Sequence, residues 1–203
     1  MNLEQKKEAA VWAAGSLFGR NKTSGSSANL SFIHNGMIYI TAGGTCFGTL
    51  SAEDFAEVSL DGTVRSVRMP SKELPLHLML YRKDPSIGAV IHTHSTYSIL
   101  WSFTVYATAH QQDCIPPLTP YLHMKLGKVG LIPYEMPGSA ALFAAFKERI
   151  ICSSGYLLKQ HGPVVPGKDI MDAFCCLEEL EESARIAWML SAGDHITKGI
   201  ISR

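Results

Sequence analysis

Two histidines, His92 and His94, stand two positions apart at the end of the apolar run Ile87 to Ile91. On an extended backbone, side chains two apart point to the same side, so both imidazoles address one place, as metal ligands do. Taken alone, the pair also reads as hydrogen-bonded histidines at a strand end. A third, His161, follows another short apolar run and precedes Gly162, where the missing side chain lets a second group approach the backbone closely. Three imidazoles with one carboxylate or water make a tetrahedral zinc site, and an exchangeable fourth position makes such a site catalytic. Glu73, in Pro70-Ser71-Lys72-Glu73-Leu74, is the candidate carboxylate; by itself it reads as a first-turn Glu favoured by the helix dipole. Lys72 reads either as a solvated lysine at a helix start or as a cation facing an anionic substrate. His77, one turn after Glu73, is expected behind the ligands or in the core, while His34, His110, His123 and His195 read as surface or structural.

The elements that must carry these groups are legible in outline. The segment Met1 to Arg20 places Leu3, Ala10, Trp12, Ala13 and Leu17 roughly on one helical face, and a Gly/Ser-rich loop follows it. Asn29 to Ile33 and Met37 to Thr41 read as strands joined at His34-Asn35-Gly36, since Asn-Gly is a strong hairpin signal. A second hairpin is expected at Leu60 to Val64, then a helix entered at Pro70-Ser71 and ending near Asp84-Pro85. Pro75 suits that helix's first turn, where a backbone N–H has no intrahelical partner. Further strands are expected at Ile87 to Ile91, Lys128 to Pro133 and Gly155 to Lys159, with a helix at Ser95 to Phe103. The longest helix begins at Asp169, with Ile170, Ala173, Phe174, Leu177, Leu180, Ala184, Ala187 and Trp188 on its apolar side and Glu178, Glu179, Glu181 and Glu182 mostly opposite. Alternating strands and helices with hairpins among them predict a mixed sheet with helices packed on it.

The 203 residues suit one domain, taken as 1–203, with a core that needs neither disulfide nor structural metal. Eighteen basic and eighteen acidic residues cancel without any block of like charge, which argues against nucleic acid. No apolar stretch reaches the ~20 residues that span a bilayer, and the first segment lacks signal-peptide character, so a cytoplasmic protein without a membrane partner is expected. Hydrophobic residues at 46% against 18% charged leave a lean charged surface, which predicts an oligomer. The five cysteines show no CxxC pair and read as ordinary reduced thiols. GxGxxG and GxxxxGK[ST] are both missing, so no dinucleotide or P-loop site is expected.

Ala28-Asn29-Leu30-Ser31, Ile40-Thr41-Ala42-Gly43-Gly44, Pro70-Ser71-Lys72-Glu73, His92-Thr93-His94 and His161-Gly162 occur in an order that resembles the class II aldolase and adducin family over nearly the whole chain. The resemblance implies a three-layer α/β/α fold of the α/β class, a homotetramer, and Zn2+ (or another divalent ion such as Mn2+ or Co2+) held by Glu73, His92, His94 and His161. It also implies acid/base work by Glu73, oxyanion stabilisation by Asn29, and a phosphate pocket around Ala28, Asn29, Gly43, Gly44, Ser71 and Lys72. Here the family's Gly-Asn, Thr-Gly and Ser-Ser pairs read Ala28-Asn29, Gly43-Gly44 and Ser71-Lys72, so a hydroxyl is missing and a cation is added. Tyr121, by its spacing to Gly127, matches a tyrosine that some aldolases lend across a subunit boundary as proton donor; it reads equally as an interface tyrosine.

Pro70 to His77, Ile115 to Tyr121 and Leu177 to Glu182 are most similar to the branch that decarboxylates 3-oxo-tetronate 4-phosphates to dihydroxyacetone phosphate and CO2 through a metal-stabilised enediolate. A small sugar-acid phosphate is therefore the implied substrate. The alternatives are a fuculose 1-phosphate type of aldolase, a pentulose-phosphate 4-epimerase, whose additional acid is absent from Thr119-Pro120-Tyr121, and a non-enzymatic adducin-like interaction domain, which would have lost the ligands.

Overall fold

The computed structural model describes residues 1–192, so the expectation for His195 lies outside the described residues. Seven strands, β1 (Asn29–His34), β2 (Met37–Thr41), β3 (Phe55–Ser59), β4 (Ala89–His92), β5 (Val129–Ile132), β6 (Gly155–Leu158) and β7 (Gly162–Gly167), form one sheet in the order β3-β2-β1-β4-β7-β6-β5. Only β5 and β6 pair in parallel, so the sheet is mixed, as the alternating elements predict.

The helices are α1 (Leu3–Gly19), α2 (Leu74–Lys83), α3 (Thr96–Ser102), α4 (Val105–Ala109), α5 (Tyr121–Lys125), α6 (Ala140–Arg149) and α7 (Ile170–Ala192). Strand alternation sends Leu30, Phe32 and Ile91 into one apolar layer with Leu17 of α1, Trp101 of α3 and Leu177 and Leu180 of α7. Ile38, Ile40 and Val90 point the other way, against Leu76 and Leu80 of α2 and Phe146 of α6. The result is an α/β/α sandwich. Asn2 and Gln5 close a reciprocal capping box at the start of α1, satisfying two backbone N–H groups that the helix leaves over.

The β1–β2 turn forms at Asn35 and Gly36, both at positive φ, with His34 paired to Met37. The expected hairpin at Leu60 to Val64 is only partly formed: Gly62 turns the chain, but the return makes a single bridge, Val58 to Val64. β3 is fully paired with β2 on its other side, and the chain then returns to β2's end, where Pro70 bridges Ala42. One expectation for α7 is corrected. Glu181 lies on the buried side, because its carboxylate receives the N–H groups of Tyr97 and Ser98 and the Ser98 hydroxyl at the start of α3.

Candidate metal centre and active site

The register sets Asn29 of β1 directly beside His92 of β4, and His92 beside Val164 of β7. His94 lies just past β4, before the N-cap Ser95 of α3, and His161 lies in the tight β6–β7 turn after Gln160, whose φ is 61°. A Cβ on Gly162 would stand 2.1 Å from the Thr93 carbonyl oxygen, so glycine alone lets this turn close onto the His92-Thr93-His94 segment. Glu73 occupies the N-cap position of α2 at φ −94°, ψ 8°, without a side-chain capping bond, which leaves its carboxylate to the histidines. Its approach is fixed by Ser71, whose N–H donates to the Thr41 carbonyl and whose carbonyl accepts from Leu74.

These four side chains converge. The ligand atoms of His92, His94 and His161 lie within 4.8 Å of one another. Glu73 brings Oε2 to 3.3 Å from His92 Nε2 and Oε1 to 3.3 Å from His161 Nε2. His92 Nδ1 donates to the Pro163 carbonyl at 2.8 Å, which leaves the lone pair of Nε2 pointing at the other ligands. Burial pushes the His92 imidazole down to about 3, with His94 adding to the shift and the Pro163 carbonyl opposing it. His161 is likewise pushed to about 3, by burial first and then by His92, and burial also lowers His94. The rings are thus neutral imidazoles, the form that ligates metal. Glu73 Oε1, His94 Nε2 and His161 Nδ1 are buried without a hydrogen-bond partner. Unpartnered buried acceptors crowded around a carboxylate are costly unless a cation lies among them, so the residues present fit a divalent ion.

Beside this cluster opens a cavity of about 390 Å³ lined by Ser26, Ser27, Ala28, Asn29, Ala42, Gly43, Gly44, Pro70, Ser71, Lys72, Glu73, His94, Pro137 and His161. Every residue expected in the phosphate pocket lies on this wall. Ser26, Ser27 and Pro137 were not expected; Pro137 arrives from a segment with no periodic pattern. The stem of Lys72 passes over Gly138, where a Cβ would stand 2.8 Å from Lys72 Cδ, and its ammonium lies 3.5 Å from the Pro137 carbonyl oxygen. His77 is wholly buried behind Asn29, and burial, then His92, push it down to about 3.

The chain matches the Class II Aldolase and Adducin N-terminal domain over residues 8–188. It belongs to that family. Among its class II aldolase relatives, a Pectobacterium atrosepticum protein named 3-oxo-tetronate 4-phosphate decarboxylase is 40% identical over 94% of this chain and 87% of its own length. A Methanocaldococcus jannaschii protein named L-fuculose phosphate aldolase is 38% identical over 84% of this chain and 88% of its own. The crystal structure of YgbL from Klebsiella pneumoniae, described as a putative aldolase/epimerase/decarboxylase, superposes with a TM-score of 0.89 at 35% identity, covering 96% of this chain and 93% of that one. The decarboxylase and the aldolase among these relatives are carbon–carbon lyases by name.

One expected class II aldolase residue stays apart in the single chain. Tyr121 begins α5 with 60% of its surface exposed and is not on the cavity wall.

Proposed function

We propose that this class II aldolase-family protein is a divalent-metal-dependent carboxy-lyase that converts a 3-oxo-tetronate 4-phosphate to dihydroxyacetone phosphate and carbon dioxide, as a single-domain cytoplasmic homotetramer. The observation that carries the reading is one cavity in which Lys72 and a glycine-lined wall adjoin the cluster of Glu73 and three neutral histidines. The Pectobacterium atrosepticum relative, matched over nearly the whole chain, selects the substrate.

Glu73, His92, His94 and His161 would hold Zn2+, or Mn2+ or Co2+ in its place. When bound, the ion supplies Lewis-acid stabilisation of the negative charge that develops on substrate oxygens. The remaining work falls to the chain. Lys72 attracts the anionic ends of the substrate, and the wall of Ala28, Gly43, Gly44 and Ser71 keeps bulk away from them. The bond between C1 and C2 breaks, its electron pair passes into the C2–C3 bond as an enediolate forms, and carbon dioxide leaves. A proton from solvent then ends on C2. Glu73, held by the Asn29 amide at 2.9 Å, manages that proton. Asn29 also faces the cavity, where a second amide hydrogen can be offered to a developing oxyanion.

An aldolase reading is favoured by the Methanocaldococcus jannaschii relative. Metal-loaded protein given a 3-oxo-tetronate 4-phosphate should release carbon dioxide and dihydroxyacetone phosphate. If it instead yields only an aldehyde and dihydroxyacetone phosphate from fuculose 1-phosphate, the aldolase reading replaces this one.

Support for assembly and location is separate. Phe103, Val105, Tyr121 and Met124 are large apolar side chains left exposed on one chain. The five cysteines are free, as suits a reducing compartment, and no helix among the described residues is long and apolar enough to cross a membrane.

A further inference from the structure

Behind Glu73 runs a file of buried polar groups. Asn29 Nδ2 donates to Glu73 Oε2 at 2.9 Å, and Asn29 Oδ1 lies 2.6 Å from His77 Nε2. His77 Nδ1 lies 2.7 Å from Ser31 Oγ, which lies 2.7 Å from the Tyr81 hydroxyl. All five residues are buried. Two periodicities build the file. Glu73, His77 and Tyr81 recur every four residues along one face of α2, while Asn29 and Ser31 alternate onto one face of β1.

The hydrogens can be arranged in one way only. Facing a carboxylate, which when ionised only accepts, Asn29 must present its NH2. Its carbonyl oxygen is then offered to His77, so a neutral His77 must carry its proton on Nε2. Nδ1 is left as an acceptor, which obliges the Ser31 hydroxyl to donate to it. The Ser31 oxygen in turn accepts from Tyr81. Every donor therefore points toward Glu73, and the dipoles line up head to tail in a dry interior, where each strengthens the next.

We infer that His77, Ser31 and Tyr81 are positioning residues that lock the Asn29 amide with its NH2 toward the Glu73 carboxylate. The inference deepens the proposed function, since it rests on Glu73 being the acid/base group. If His77 could not donate, nothing would hold the Asn29 carbonyl away, and the amide could turn its oxygen toward Glu73. The carboxylate would then lose its donor and its aim. A residue that acts this way should change turnover more than substrate affinity.

The test has two arms. Neutron diffraction from deuterium-exchanged wild-type crystals should place a deuteron on His77 Nε2, that of Ser31 toward His77 Nδ1 and that of Tyr81 toward Ser31. A deuteron on His77 Nδ1 would overturn the inference whatever the enzyme's substrate. The second arm compares His77→Gln with His77→Leu. The Gln side-chain N–H can stand where Nε2–H stood, so it should keep kcat within about threefold of wild type; Leu fills the space without a donor and should lower kcat about tenfold or more, both at nearly constant KM. Equal losses in the two variants would mean that His77 serves packing alone. Should the Leu variant fail to fold, Ser31→Ala takes its place: it removes the donor to Nδ1 and should lower kcat, and an unchanged kcat overturns the inference. If wild type turns over no oxo-tetronate phosphate, the proposed function fails while the neutron map still decides the direction of the file.

Discussion

His92 Nε2 and Glu73 Oε2 stand 3.3 Å apart as two acceptors face to face, because His92 spends its one proton on the Pro163 carbonyl. Such a pair repels unless a cation is shared. The protein should therefore hold about one divalent ion per chain. Chelation should lower its unfolding midpoint without unfolding it, since an ion at about a hundred times its Kd adds about 2.7 kcal/mol to a core that stands alone. Ala at His92, His94 or His161 should abolish turnover with the fold retained, whereas Glu73→Gln should keep the ion and lose about a hundredfold or more in kcat. Elemental analysis finding no metal in fully active protein would contradict all of this.

Lys72 and Gly138 should behave as one unit. Lys72→Ala removes a cation that meets the anionic substrate in ground and transition states alike, so KM should rise about tenfold while kcat stays within about threefold. Gly138→Ala adds a methyl group 2.8 Å from Lys72 Cδ at a φ of 75°, and should raise KM in the same direction. Steady-state kinetics showing a loss confined to kcat in either variant would refute the pairing.

Glu181→Ala should be among the more destabilising changes away from the metal centre. It strands two N–H groups and a buried hydroxyl at the start of α3, the helix that follows His94, at about 3 kcal/mol in urea titration. Glu181→Gln, which keeps one acceptor, should cost less. Equal stability of wild type and the Ala variant would remove the anchoring role.

Acid should weaken the metal-free protein through His77. Its folded pKa, about 3, lies below the ordinary 6.5, so between those values the unfolded chain binds a proton that the folded chain refuses. The contribution is whole above pH 6.5 and is lost as pH falls, by about 1.4 kcal/mol per pH unit while the window lasts. His77→Gln should make the stability profile between pH 6.5 and 4 shallower by that one group's share, with His92 and His161 still contributing theirs. A profile as steep as wild type would show that His77 does not titrate on unfolding.

Tyr121 bears on assembly. Light scattering should report a tetramer at micromolar concentration, and Tyr121→Phe should lower kcat if its hydroxyl reaches a neighbour's cavity. A monomer would contradict the first claim, and unchanged turnover the second.

The convergence of Glu73, His92, His94 and His161 is legible because each follows an apolar strand or opens a helix, places where periodicity ends abruptly. The first hairpin was readable because Asn35-Gly36 permits little else. α6 was overlooked although Ser139 supplies a cap to the Leu142 N–H and Leu142 and Phe146 repeat four apart; its helix is short and Gly138 masks the start. α4 and α5 span five residues each, too few for a period to emerge. Glu181 stands four positions after Leu177 and three before Ala184, on the apolar face by spacing; its charge points the reading to solvent, because the α3 groups that satisfy it are not visible in the local sequence. Pro137 reaches the cavity through tertiary packing alone.

The proposed ligands are also ordered in time. His92 and His161 are 69 positions apart and meet only where β7 pairs with β4. A chain still emerging from the ribosome displays Glu73, His92 and His94 well before His161 exists, so it holds an incomplete ligand set throughout most of its synthesis. An ion held by the proposed set would therefore load stably only once β7 has paired with β4, as a seal on a finished sheet.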